Sequence, residues 1–356
     1  MGGIELHLRD LAQRLMARGH EVTVVTPTPG DRVVEGVRVV RVAASRLPGA
    51  EVVWTPAGVA AIGEAVAALS PGVVHAHVSI VSPASYAGAA AGVRLGLPTV
   101  LTFHSVIAGL SPLFAALDRL TGISRWPALF TAVSAPVARP VRTLAGSRDV
   151  EIVANGIDAE QWRVTPAPRD ASRVEILSVG RLVPKKRPAT LVRMMAELRR
   201  RLPAGITARL RLAGDGPERP ALERLVRRHD LVDVVELLGW RSHHELRALL
   251  ATSDVFVMPS RFESFGLAAL EARCAGLPVV AMARSGVSGV IGHEQEGLLS
   301  RDDRELVAHV LRLTTDRALR ERIAEHNRRS TPMASWDGTL ARLHRVYEQA
   351  AALAAK

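Results

Sequence analysis

Short apolar runs alternate along this chain with stretches in which apolar residues recur every three or four positions. The runs at 21–26, 37–42, 73–77, 99–103, 130–134 and 150–154 predict strands in the first half. Those at 174–179, 208–213, 234–238, 255–258 and 279–282 predict strands in the second. Between them the helical period returns: Ile4, Leu8, Leu11 and Leu15 share one face, and Gly19 ends that helix. Such alternation is the pattern of parallel sheets covered by helices on both faces. It occurs twice, so two similar sheets are expected. The least regular stretch, 159–172, holds Pro166, Pro168 and an Asp170-Ala171-Ser172 turn, and is expected to be the linker between domains at 1–160 and 171–335. A last amphipathic helix follows over 336–356.

A length of 356 residues suits two domains, each able to bury its own core. With 48% hydrophobic and 23% charged residues, the composition is that of a globular protein. The longest apolar stretches break at Glu64 and Arg94, short of the roughly 18 residues a membrane span needs. Met1-Gly2-Gly3-Ile4-Glu5 lacks the basic and apolar regions of a signal peptide. Cys274 is the single cysteine, so no intramolecular disulfide can form and a cytoplasmic location is expected, with Cys274 in the core. The formal charge of +11 favours anionic partners, which include nucleotide phosphates and the anionic face of a membrane. An aromatic content of 4% with scattered arginines argues against a base-stacking nucleic-acid surface.

The densest candidate chemistry lies at Ser260-Arg261-Phe262-Glu263-Ser264-Phe265-Gly266-Leu267, which leads into a helix closed by Gly276 and Pro278. Glu263 falls in the strand-to-helix loop. Glu271, eight residues on, lies about two turns inside the helix, on the order of 10 Å away at ~1.5 Å rise per residue. Two carboxylates so spaced can grip both ends of an elongated ligand, while the N–H groups of Phe265, Gly266 and Leu267 face an anion between them. A second cluster, Gly180-Arg181-Leu182-Val183-Pro184-Lys185-Lys186-Arg187, follows directly on a strand. No His or Asp cluster has metal-ligand spacing.

These segments resemble family 4 retaining glycosyltransferases: the paired glutamates match its E-x7-E signature, and Arg181 with Lys186 matches G-R-L-x-x-x-K. Thr102-Phe103-His104 resembles the T-x-H segment, Asn155-Gly156-Ile157-Asp158 the turn that ends the first domain, and Gly2-Gly3 the opening loop. The resemblance covers nearly the whole chain, with the segments in family order. It implies an α/β GT-B fold, two Rossmann-like domains facing a cleft, with the acceptor held mainly by the first and the nucleotide sugar by the second. The final helix would cross back to the first domain. The implied reaction moves a hexose, mannose among the candidates, from a GDP- or UDP-sugar to a hydroxyl of a glycolipid, saccharide or small molecule, with retention, no metal and no further cofactor. The implied catalytic residues are His104 and Glu263, both on the donor sugar. Gly3, Arg181, Lys186, Phe265, Gly266 and Leu267 would hold the phosphates and Glu271 the ribose. A lipid-linked acceptor would bring peripheral contact with the inner face of an anionic membrane.

Four features stay open or depart from the pattern. Gly214-Asp215-Gly216-Pro217 reads as a structural turn near the ligand, with Pro217 at the first helical position, or as a ligand contact. His75 and His77 read as packing residues. Where the family shows G-G-x-x-E, this chain has Ser285-Gly286-Val287-Ser288-Gly289, without the acid. The family also opens with a strand before the glycine loop, whereas here the glycines follow Met1, so a central strand is expected to be missing and a start codon to lie upstream. Losing it would cost about 1 to 3 kcal/mol for each buried backbone group left unpaired. The competing readings are a non-catalytic nucleotide-sugar-binding subunit, a GT-B phosphorylase or epimerase, and a basic nucleic-acid-binding protein.

Overall fold

The computed structural model describes residues 3–42, 55–79, 82–105, 118–119, 121–144, 149–168, 170 and 172–356. They divide into two compact units: Met1–Gly156 with Trp336–Lys356, and Ile157–Ser335.

The first unit begins with the helix Gly3–Met16. Its strands are β1 (Thr23–Thr26), β2 (Val33–Val34), β3 (Val37–Arg41), β4 (Val74–Val78), β5 (Thr99–Phe103), β6 (Leu129–Ala132) and β7 (Val150–Ile152). They form two sheets. One has the order β1-β3-β2, and the other is the all-parallel β4-β5-β6-β7. Among the described residues β1 and β4 each pair on one side only. Every residue of β5 is buried, as its uninterrupted Thr-Val-Leu-Thr-Phe run requires of an inner parallel strand. The helix Trp336–Ala354 packs on β5 and β6, burying Leu340, Leu343, Val346 and Ala350. Thr339 Oγ1 fastens it by donating to the Ala154 carbonyl at 3.0 Å.

In the second unit β8 (Arg173–Val179), β9 (Thr207–Ala213), β10 (Val235–Gly239), β11 (Val255–Met258), β12 (Val279–Met282) and β13 (Gly297–Ser300) make one wholly parallel sheet. The order is β10-β9-β8-β11-β12-β13, which in the unit's own count is the 3-2-1-4-5-6 of a doubly wound nucleotide-binding sheet. One core runs through Ile176, Leu191, Met195, Leu210, Val257, Val280, Leu306 and Ile323.

The unit boundary falls at Gly156/Ile157, earlier than the proline-containing linker expected over 159–172. Ile157 bridges Ser335, and its N–H donates to the Ala334 carbonyl at 2.9 Å. Asp158 then caps the short helix Ala159–Trp162, and Trp162 is buried with that helix packed on Leu267–Cys274. The stretch beyond it stays with the second unit, where Ala167 N–H donates to the Ala251 carbonyl at 2.9 Å. The expected start of the next helix at Pro217 also moves: Glu218 is the cap and the helix is Arg219–Arg228.

Arg273 anchors the Leu267–Cys274 helix at its far end. Its guanidinium is 1% exposed, pairs with Glu296 at 2.6 Å and donates to the Ser330 carbonyl at 2.8 Å and Ser330 Oγ at 2.7 Å. Cys274 beside it is buried, as expected. Arg273→Met should lower stability by about 3 to 5 kcal/mol, because it strands the Glu296 carboxylate in the interior. Equilibrium urea unfolding checks this. A loss within 0.5 kcal/mol would mean that the pair does not anchor the helix.

Candidate active site

In an open parallel sheet the ligand crevice opens where strand order reverses, outside the carboxyl ends. In the second unit that point lies between β8 and β11, the strands that run into the two clusters singled out from sequence. The β8 loop is kept close by the turn after β9. Leu182 N–H donates to Asp215 C=O at 2.9 Å and Glu218 N–H to Leu182 C=O at 3.0 Å. A Cβ on Gly214 would stand 1.9 Å from the Gly180 carbonyl oxygen, so only glycine permits that approach. These contacts favour the structural reading of Gly214–Pro217.

Lys186 and Glu263, 77 residues apart in sequence, meet here: Lys186 Nζ donates to Glu263 Oε2 at 2.5 Å. The carboxylate is 13% exposed and the lysine 32%, so the pair is less screened than a surface one. Arg181 extends from the same loop as an exposed side chain and makes no ion pair among the described residues. Three further contacts tie the loops. Ser260 Oγ donates to the Lys185 carbonyl at 3.3 Å, Arg187 Nη1 donates to the Pro259 carbonyl at 3.0 Å, and Arg187 Nη2 meets Asp303 Oδ2 at 2.5 Å. Asp303 also takes a bond from Arg261 at 3.1 Å. Arg187 stands at φ 57°, left-handed backbone that side chains other than glycine's occupy at a cost. Its guanidinium contacts hold it there.

Glu263 is positioned through its backbone as well: Gly286 N–H donates to the Glu263 carbonyl at 2.7 Å. The stretch that lacks the family's acid thus supports the loop directly. Phe265 is buried, and Gly266 caps the helix at φ 95°. The N–H groups of Phe265, Gly266 and Leu267 take no backbone acceptor among the described residues, which leaves a helix start suited to an anion. Glu271 lies inside that helix, and burial pushes its carboxyl up to about 7. A carboxyl so desolvated gains from hydroxyl donors.

His104 belongs to the first unit, just past β5. It is 4% exposed, with Nε2 2.9 Å from His77 Nδ1. His75 bonds Tyr347 OH at 2.9 Å and Thr102 Oγ1 at 2.6 Å. His7 stacks on Trp336 with 5.2 Å between ring centres. Burial is the main cause that holds His7 at about 4 and His75 at about 3, with His77 and His104 well below the ordinary value. Gly3 opens its helix, and Gly2 lies outside the described residues. His7 and Asp303 were not found from sequence, while Arg187 was a weaker candidate beside Lys186 and Gly286 stood in the stretch that lacks the family's acid. The i,i+2 repeats His75-x-His77 and Thr102-x-His104, which put four side chains on one sheet face, were the signal for the histidine group. Among the described residues no three His, Cys, Asp or Glu side chains are grouped to hold a metal ion.

A cation and a carboxylate at the switch point of a 3-2-1-4-5-6 sheet, beside an open helix start, define a nucleotide-binding α/β protein. The profile for glycosyl transferases group 1 matches residues 164–330, and that for glycosyltransferase family 4 matches residues 1–161. The glycogen synthase of Mycobacterium tuberculosis is 31% identical over 98% of this chain and 91% of its own length. The D-inositol 3-phosphate glycosyltransferase of Salinispora arenicola is 30% identical over 99% and 88%. Anabaena HepE, solved with UDP and glucose, superposes with a TM-score of 0.73 at 20% identity, over 98% of this chain and 94% of that one. The chain belongs to the group 1/family 4 glycosyltransferases, transferase enzymes of GT-B fold.

Two pH effects follow, one in each unit. Glu271 has its folded value raised above the unfolded one, so its contribution is fully present below about 4.5 and is lost as pH rises through about 7. Glu271→Gln should therefore raise Tm at pH 8 and leave it unchanged at pH 4.5, as read by calorimetry. Equal Tm values at pH 8 would refute the desolvation. The four histidines have folded values below 6.5, so the first unit should hold its stability above pH 6.5 and lose it below, at up to about 1.4 kcal/mol per pH unit for each. A melting transition of that unit independent of pH between 7 and 5 would contradict this.

Proposed function

We propose that this chain transfers a hexose from a nucleotide diphosphate sugar to an acceptor hydroxyl with retention at the anomeric carbon, and that the Lys186–Glu263 pair marks the donor site. The observation that carries the reading is the meeting, at the β8/β11 switch point, of a cation suited to a diphosphate and a carboxylate suited to sugar hydroxyls. Arg181 and Lys186 take the diphosphate, whose negative charge grows as the C1–oxygen bond breaks. The open N–H groups of Phe265, Gly266 and Leu267 add to that field. Glu263 accepts bonds from the hexose hydroxyls and Glu271 from the ribose. His104 contacts the sugar hydroxyls, as the resemblance implies. The acceptor oxygen bonds to C1 on the face from which the diphosphate departs, and the hydroxyl proton passes to the departing phosphate oxygen, so that no protein nucleophile is used.

The likeness to a glycogen synthase and to a D-inositol 3-phosphate glycosyltransferase, and the UDP and glucose bound to HepE, support a hexosyl donor and a hydroxyl acceptor. A lipid-linked acceptor and contact with an anionic membrane surface rest on the charge of +11. Among the described residues no helix is long and apolar enough to cross a membrane.

A thermal-shift panel of UDP-glucose, GDP-mannose and ADP-glucose tests the donor. One should raise Tm, since a ligand of the folded state at 100 times its Kd adds about 2.7 kcal/mol. Lys186→Ala should abolish the rise. Glu263→Ala should retain binding and lose turnover by about 10²-fold or more. Wild-type turnover in Glu263→Ala would overturn the assignment.

A further inference from the structure

The proposed reaction uses one of four clustered imidazoles of the first unit, of which His7 and His104 are buried and His75 and His77 half-buried. The others are organised around it. β4 and β5 pair in parallel with His77 opposite Thr102, so the alternation of a strand puts His75, His77, Thr102 and His104 on one face of the sheet. His75 has both ring nitrogens occupied, by Tyr347 OH and Thr102 Oγ1, and Thr102 Oγ1 is itself 2.6 Å from Thr131 Oγ1. It cannot serve His104. His77 can: its Nδ1 lies 2.9 Å from His104 Nε2, and its own backbone is fixed by Ser85 Oγ, which donates to the His77 carbonyl at 2.7 Å. The remaining neighbour, His7, approaches His104 only as a tilted ring at 5.8 Å between centres.

A neutral imidazole carries one N–H and one lone pair. Burial keeps the whole group neutral near pH 7. In the His77–His104 bond one nitrogen must therefore donate and the other accept. Whichever way it runs, the bond settles which His104 nitrogen holds the proton and so what the opposite nitrogen can do. That opposite atom, His104 Nδ1, is buried and without a hydrogen-bond partner in this structure. Leaving it so is unfavourable, and an incoming hydroxyl would relieve it.

We propose that His77 is a positioning residue, whose bond to His104 Nε2 locks the orientation and tautomer of that ring and presents Nδ1 to a hydroxyl of the sugar substrate. The claim rests on the reading of His104 as a sugar contact, and its tests separate the two. In the ligand-free protein at pH 7.5, long-range proton–nitrogen spectra should show His104 as a single neutral tautomer. His77→Phe fills the space without a ring nitrogen and should give a mixture of tautomers. His77→Asn keeps a polar atom near the lost Nδ1 and should restore one. A single His104 tautomer in a folded His77→Phe would overturn the proposal with no substrate involved. In turnover of UDP-glucose or GDP-mannose, His77→Phe should lower kcat about 10- to 100-fold with KM little changed, and His77→Asn should recover much of it. An unchanged kcat despite mixed tautomers would also overturn it. Failure of the wild type to turn over either donor counts against the transferase reading and leaves the spectra to decide the role of His77.

Discussion

The ion pair between Lys186 and Glu263 is the contact on which the rest of the second unit bears. A parallel sheet with the order β10-β9-β8-β11-β12-β13 opens a crevice between β8 and β11, and each of those strands ends in a loop that supplies one member of the pair. The surroundings hold the loops at that spacing: the Gly214 turn beneath Gly180, the Ser260 and Arg187 bonds to backbone carbonyls, Asp303 between two arginines, and Gly286 under Glu263. Without a ligand the two charges satisfy one another. On the proposed reading a diphosphate would compete for the lysine and release the carboxylate toward hydroxyl groups, so that one resting contact occupies both halves of the proposed donor site.

The first unit solves a different electrostatic problem. It holds four imidazoles without a charged partner, His7 and His104 buried and His75 and His77 half-buried, which is tolerable because they stay neutral and because four of their eight ring nitrogens meet hydroxyls or one another. The buried nitrogens without a partner are Nδ1 of His7 and of His104, which a ligand could satisfy. Neutral hydrogen-bonding groups suit hydroxyls, and phosphates call for cations such as those after β8.

Much of this was legible in the sequence. β5, β11 and β12 have the ends that their apolar runs predict, and most other strands begin or end within two residues of theirs. Gly297–Ser300 escaped notice as a strand because four residues that include a glycine carry little period. Val33–Val34 is a two-residue strand, too short for any pattern. Pro166 and Pro168 signal local backbone, while the burial of Trp162 depends on a helix about a hundred residues away in sequence. Arg187 with Asp303 and His77 with His104 were hidden for the same reason: only sheet order and register bring such residues together. Lys186 and Glu263 were named separately, from motif resemblance. Their contact with one another was not foreseen.

The most direct test is a crystal structure with intact UDP-glucose or GDP-mannose, whichever stabilises the protein. The account predicts diphosphate oxygens on Arg181 and Lys186, the Lys186–Glu263 contact lengthened beyond hydrogen-bonding distance, and Glu263 on the hexose hydroxyls. A donor bound elsewhere with that contact still closed would contradict it.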